Sequence, residues 1–260
     1  MIRSLWTAAT GMAAQQMNMD TIAHNLANAS TTGFKRGRAN FEDLMYETIV
    51  PPGAETASGS KTLTGIQLGM GAKPTSVQKI YSQGNFTETG NPLDIAIEGK
   101  GFFKVLRGSD EVYTRAGAFK LDQDGYVCDA DGNRLQPEIN LPATAAGINI
   151  DPGGQVTAVD TSGKILSTQT ITLFDFANPA GLKNIGRNYA VPTEASGDAE
   201  SGEPGTDRFG TVLQGFLESS NINVVEEMVN MIMGQRAYEA NSKVIKTADE
   251  MLHIANSVKA

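Results

Sequence analysis

Few side chains in this 260-residue chain are of the kinds that do chemistry, and their spacing restricts what that chemistry could be. The two histidines, His24 and His253, stand far apart. A zinc site needs three or four His, Cys or carboxylate ligands, and neither histidine has further His or Cys ligands to recruit. A solvated or interfacial role is expected for both, with pairing across the terminal segments left open. Cys128, the single cysteine, lies in "DQDGYVCDADGN" with no histidine nearby in sequence to activate it, and reads as a buried structural thiol. The same stretch is acidic enough for a calcium loop but lacks the EF-hand spacing and its closing glutamate. Its Asp-Gly pairs at 124–125 and 131–132 read as hairpin turns. "GKGFFK" at 99–104 lacks the third glycine of a dinucleotide fingerprint and leads into a strand, and in "GSKT" at 59–62 a serine separates the glycine from the lysine of a would-be P-loop. The adjacent Glu226 and Glu227 read as solvated or ion-paired rather than catalytic. No catalytic residue, metal ligand or cofactor is therefore expected.

Bulk properties narrow the class further. Hydrophobic residues make up 40% and charged residues 19%, as in an ordinary folded chain, while the 28 glycines point to many tight turns. No apolar run approaches the roughly 18 to 20 residues that would span a bilayer. "MIRSLWTAATGMAAQQMNMD" has no unbroken apolar core, so no Sec-type signal peptide is expected. Of the net charge of −8, residues 1–40 contribute +3 and residues 222–260 contribute −1, which leaves −10 in the middle. An acidic body with no basic stripe argues against nucleic-acid binding.

The elements that would position any site fall into three stretches. Up to about Asn28 the chain has helical periodicity and no proline, with Leu5, Met12, Met19 and Leu26 seven residues apart. That is a heptad seam, and it stops at "NASTTGFKR". The middle reads as β: "LDIAIEG" alternates Leu93, Ile95 and Ile97 against Asp94, Ala96 and Glu98, the pattern of a half-buried strand, and "GFFKVLRG", "VYTRAG" and "TQTITLFDF" continue it. "SGDAESGEPGTDRFG", 196–210, reads as a polar, mobile surface loop. The last stretch is helical again, with Val224, Met231, Tyr238, Ile245 and Leu252 spaced by seven and Glu239–Lys243 as an i,i+4 ion pair. The fold class is α+β. Terminal helices are expected within 1–40 and 222–260, an extended linker over 41–70, and a mainly antiparallel β domain over 71–221.

Size bears on what the helices do. A helix over residues 221–257 would be roughly 55 Å long, whereas a compact globule of this chain length is under roughly 50 Å across. Its seam can pair with the N-terminal helix, but the apolar residues of "VVEEMVNMIM" surround more of the helix than one partner covers. An intramolecular hairpin docked on the β body and a contact between copies both remain open on patterning alone. So does a secreted β-rich enzyme or binding module with a helical dimerisation stalk, which would form a discrete oligomer around a ligand-sized pocket.

"NLANASTTGFKR", "GNPLDIAIEGKGFFKV", "YTRAGAFKLDQDGYV", "QGFLESSNINVVEEMVNMI" and "QRAYEANSKVIKTADEML" together resemble, in order and over nearly the whole chain, the motifs of the flagellar rod and hook axial proteins. The length, the start "MIRSLWTAATGM" and the segment after residue 40 are most similar to the distal-rod branch; the proximal rod and the hook are the alternatives. The resemblance implies a structural subunit whose terminal segments, 1–40 and 222–260, form a coiled-coil assembly domain lining a hollow, self-assembling tube. That tube would transmit torque and pass exported subunits. Implied partners are further copies, the proximal rod, the hook, the P- and L-ring proteins and the flagellar type III export apparatus; the implied place is the basal body's periplasmic rod, reached without a cleaved signal. It also implies that residues 46–65, which alone read as a disordered linker, order against neighbouring copies and stiffen the tube. Tyr46, Pro51, Pro52, Gly53, Thr62 and Leu63 mark that segment.

Overall fold

A computed structural model describes residues 2–53, 63–142, 144–206 and 208–258. Thr62 therefore lies outside the described residues. The chain divides into two compact units: the first holds Met1–Leu26, Gly37–Gln78 and Asn223–Ala260, the second Ala27–Arg36 and Lys79–Ile222. The strands are antiparallel throughout their recorded registers, so the class is α+β with a helix near each end.

In the first unit, helix α1 spans Ile2–Ala27 and helix α2 spans Val224–Val258. Neither contains proline. Asn223 caps α2, its side-chain oxygen accepting the Val225 N–H at 3.1 Å, and Glu226 and Glu227 place negative charge in the first turn. At 35 residues α2 is about 52 Å long. Among the described residues no helix is long and apolar enough to cross a membrane. Residues 37–79 are organised as two strand pairs, Gly37–Asp43 with Ala72–Lys79 and Tyr46–Val50 with Ile66–Gly69. The expected Glu239–Lys243 ion pair is not formed among the described residues: both side chains are exposed, where the entropy of fixing two long chains cancels most of the Coulombic gain.

The second unit is built on a seven-stranded antiparallel sheet. Its order runs Lys183–Gly186, Tyr189–Val191, Asp110–Thr114, Phe103–Arg107, Arg134–Gln136, Val127–Cys128, Lys120–Leu121. Both Asp-Gly pairs are hairpin turns: Gly125 and Gly132 adopt φ of 81° and 83° and donate to Asp122 O and Asp129 O. A three-stranded sheet, Gly147–Ile150, Gln155–Val159 and Ile165–Thr170, completes the core of Ile97, Phe103, Phe119, Leu135, Ile171 and Leu173. A separate aromatic cluster joins Phe102, Tyr113, Phe174 and Phe176 edge to face, with centroids 4.9–5.8 Å apart.

Two expectations are corrected here. Ile95, Ala96 and Ile97 are all buried, and Asp94 with them, so the strand is covered on both faces rather than half-buried. Asp94 is kept there by hydrogen bonds from Thr89 Oγ1 at 2.6 Å and Asn91 Nδ2 at 3.1 Å. The segment 196–210 is not a free loop. Glu200–Gly202 pairs with Leu173–Asp175, and Ser196 is buried, its hydroxyl donating to Thr193 O at 2.8 Å.

Candidate functional site

The first unit brings the two helices together in antiparallel register. A Cβ added to Gly11 would approach Asn241 Nδ2 to 2.9 Å, and one added to Gly234 would approach Met19 Cγ to 3.3 Å. Further along, Asn25 Nδ2 donates to Glu227 Oε2 at 3.1 Å. Contact partners thus fall along α2 as they rise along α1. The buried positions of α1 include Ala8, Ala14 and Ile22, with the predicted Leu5, Met12, Met19 and Leu26 half-buried beside them. On α2 the buried positions are Glu227, Gly234 and Ala248. Met231 and Ile245 are half-buried next to that face, while Val224, Tyr238 and Leu252 are exposed. The antiparallel register also separates the histidines. His24 sits beside the Asn25–Glu227 contact, 26 residues and about 39 Å along α2 from His253, so the two do not meet within one chain.

Asn25 is the junction of this unit. It is 1% exposed, accepts the Gly37 N–H at 2.8 Å and donates to Gly37 O at 2.8 Å, so one carboxamide fixes both the following strand and α2. Asn25→Ala should leave Glu227 and the Gly37 backbone short of partners, at a cost of about 2–4 kcal/mol. The check is the denaturant midpoint of the helical far-UV signal; an unchanged midpoint would mean that water replaces the carboxamide freely.

α2 has a second apolar face. At 100° per residue, Val225, Met228, Val229, Ile232 and Met233 lie on one ridge, opposite Glu227 and Gly234. All five ridge side chains are exposed. Among the described residues, the large exposed hydrophobics outside this unit are only Leu121, Ile165, Leu166 and Ile185. The unit's hairpin adds to them: Tyr46, Ile49, Ile66 and Leu68 are exposed, and Leu63, beyond its strands, is 98% exposed. Pro51, Pro52 and Gly53 are exposed between the strands. Arg3 pairs with Glu47 of the hairpin at 2.7 Å, on a solvated surface where such pairs contribute little.

The second unit holds a buried charge cluster that periodicity did not indicate. Lys35 Nζ is 2.6 Å from Glu218 Oε1, and Arg115 Nε is 2.6 Å from Glu218 Oε2. Arg115 also donates to the backbone oxygens of Ile97, Gly99 and Gly101, and Lys35 to Ser82 O at 2.8 Å. Burial alone would push the Glu218 carboxyl up, but Arg115 and Lys35 outweigh it and hold it below its ordinary value. Burial holds Lys35 below the usual lysine value, against the attraction of Glu218. The segments that meet here are "TGFKR", "YTRAG" and "GFLESSN". Beside the cluster, Arg36 N–H donates to Asn221 Oδ1 at 2.7 Å. The residues that follow α1 and those that precede α2 are therefore stapled together within this unit. Cys128 is buried, donates to Tyr126 O at 3.5 Å, and has its thiol pushed up by burial, away from nucleophilic use. No group of three or more His, Cys, Asp or Glu able to hold a metal occurs among the described residues.

Comparison with known proteins bears directly on these motifs. Residues 5–35 match the family described as flagella basal body rod protein, 96–158 the flagellar hook protein FlgE/F/G D1 domain, and 213–258 the flagellar basal body rod FlgEFG protein C-terminal family. The flagellar basal-body rod protein FlgG of Buchnera aphidicola (subsp. Schizaphis graminum) is 46% identical over 97% of this chain and 98% of its own. The FlgG proteins of Borreliella burgdorferi and Caulobacter vibrioides are each 44% identical, over 100% of this chain and 99% and 100% of theirs. The chain belongs to the FlgG family of flagellar basal-body rod proteins. It is thus a structural rod subunit of the flagellar basal body. Within this rod protein the three matched regions coincide with the clusters above: Asn25 and Lys35 fall in the first, Arg115 in the second, and Glu218 and Glu227 in the third.

Proposed function

We infer that this rod subunit builds the distal rod by self-assembly, its terminal helices packing with those of further copies as a coiled-coil inner wall around a hollow shaft. The observation that carries this reading is the two-sided α2. One face is occupied by α1, while the opposite ridge of Val225, Met228, Val229, Ile232 and Met233 is exposed. A contact that joins a ridge on one copy to a different surface on the next is heterologous, and its repetition gives an open helical filament. On this reading Leu5, Met12, Met19, Leu26, Val224, Met231, Tyr238, Ile245 and Leu252 border the surfaces between copies. Torque passes through these packed contacts to the hook, and exported subunits pass through the lumen. The partners are the proximal rod, the hook, the P- and L-rings and the type III export apparatus, and the place is the periplasmic part of the basal body.

Tyr46, Pro51, Pro52, Gly53, Thr62 and Leu63 carry the stiffening role on this reading. The exposed apolar side chains of the strands Tyr46–Val50 and Ile66–Gly69 support it, because such a patch favours burial against another copy. Electron microscopy of polymer grown from purified chain tests both parts. Straight hollow tubes are expected from the full chain, and removal of residues 46–63 should leave tubes that bend several-fold more easily. Discrete oligomers, or a deletion whose tubes are equally stiff, would refute the corresponding part.

A further inference from the structure

A cavity of about 30 Å³ in the second unit is lined by Lys35, Lys79, Arg115, Phe34, Asn184 and Asn188 among others. Three cations therefore border a space with room for a small polar group. Lys35 and Arg115 already share Glu218. Lys79 is different: its ammonium sits 4.8 Å from the centre of the Phe34 ring, and among the described residues no carboxylate reaches it. Burial holds it below the ordinary lysine value. A partly desolvated ammonium with only an aromatic face for company is an uncommon arrangement in a chain of net charge −8, which has 29 acidic side chains against 21 basic ones. The remaining lining reinforces the sign. The Asn188 carboxamide is positioned at the cavity by donating to Thr32 O at 3.2 Å, and Asn184 adds a further amide donor.

We propose that this cavity seats a carboxylate side chain of a second copy of the chain, with Lys79 as its ion-pair partner. The inference rests on the self-assembly reading above. In a homopolymer the surface repeatedly presented to each cavity belongs to another copy, and that surface is predominantly acidic. The seat would therefore act as a polar register pin, fixing how one second unit meets its neighbour independently of the apolar ridge on α2. A carboxylate placed there supplies the anion that Lys79 lacks.

A zero-length carbodiimide crosslink tests this directly. The reagent activates a carboxylate, and an adjacent lysine amine displaces it to form an amide while the urea leaves. Polymer grown from a mixture of ¹⁴N and ¹⁵N chains should yield a mixed-isotope peptide joining Lys79 to an acidic residue, absent from monomer. Lys79→Gln should raise the critical concentration for polymerisation roughly tenfold, and Lys79→Arg should restore most of it. Absence of the amide together with an unchanged critical concentration for Lys79→Gln would overturn the proposal. So would saturable shifts of the Phe34 and Asn188 amides on titrating monomer with phosphate or acetate if Lys79→Gln still polymerised normally, since the seat would then take a free anion. Wild-type chain that never forms polymer would overturn the assembly reading as well, which separates the two failures.

Discussion

Glu218→Gln is expected to destabilise the second unit by about 3–5 kcal/mol, measured as the shift in the urea midpoint of monomeric chain, because it strands Lys35 and Arg115 in a site 2–8% exposed with no counter-charge. Among the described residues the carboxylate is the only anion in the cluster, and it bonds outward as well: Gly84 N–H donates to its Oε1 at 2.9 Å. Glutamine can accept from one of these donors but offers its own N–H groups to the other, so a hydrogen bond turns into a clash of donors. The sign of the pH dependence follows from the same geometry. The folded Glu218 carboxyl lies below its unfolded value. Its contribution to stability is therefore complete above the ordinary carboxylate range and is lost as pH falls through the lower, folded value. The acid limb of the wild-type stability curve should flatten in Glu218→Gln. An acid limb equally steep in Glu218→Gln and wild type would mean that the cluster matters through its packing rather than its charge.

How much of this was readable beforehand depends on the interaction that decides each element. The helices were legible because their signal is local: a period of seven and the absence of proline already specify α1, and α2 starts at a good Asn cap. The Asp-Gly hairpins were legible for the same reason, since positive φ at Gly125 and Gly132 is a property of two adjacent residues. The coverage of Ile95–Ile97 on both faces was not, because it depends on segments distant in sequence; even the strand's ladder partner is Thr211–Gln214. The Lys35–Glu218–Arg115 cluster was hidden more deeply still, its members being 183 and 103 residues apart. A signal was nonetheless present. Each member lies in a motif that carried the family resemblance, and a lysine, an arginine and a glutamate inside such motifs are candidates for one another. Asn25 was passed over because it lies within the helical stretch and off its heptad seam, whereas its buried carboxamide holds α1, the following strand and α2 together. The heptad reading of α2 located its packed side only approximately. Val224, Tyr238 and Leu252 fall on the exposed border, because the packed positions Glu227, Gly234 and Ala248 keep the seven-residue spacing but start three residues later, about 60° round the helix.

Because the seam borders the face that α1 already occupies, the exposed ridge is the place to break assembly. Val229→Glu/Ile232→Glu puts two carboxylates on the centre of the ridge while leaving Gly234, Glu227 and the contacts with α1 untouched. Each buried Val or Ile side chain is worth about 1.5–3 kcal/mol, so the double change should remove roughly 3–6 kcal/mol from any contact that covers the ridge, before the added cost of burying charge. The critical concentration for polymer should rise by more than about a hundredfold, read by sedimentation, while the near-UV signal and urea midpoint of the second unit stay put. Free chain should also show less helical signal than polymer, because helices gain most of their stability from packing. The paired exchange Ala237→Glu/Ser242→Glu, on the side nearer α1, should instead lower the helical melting of the monomer itself. Polymer that formed normally from the ridge variant would mean that another surface joins the copies, and the hairpin around Tyr46 and Leu63 would be the next to alter.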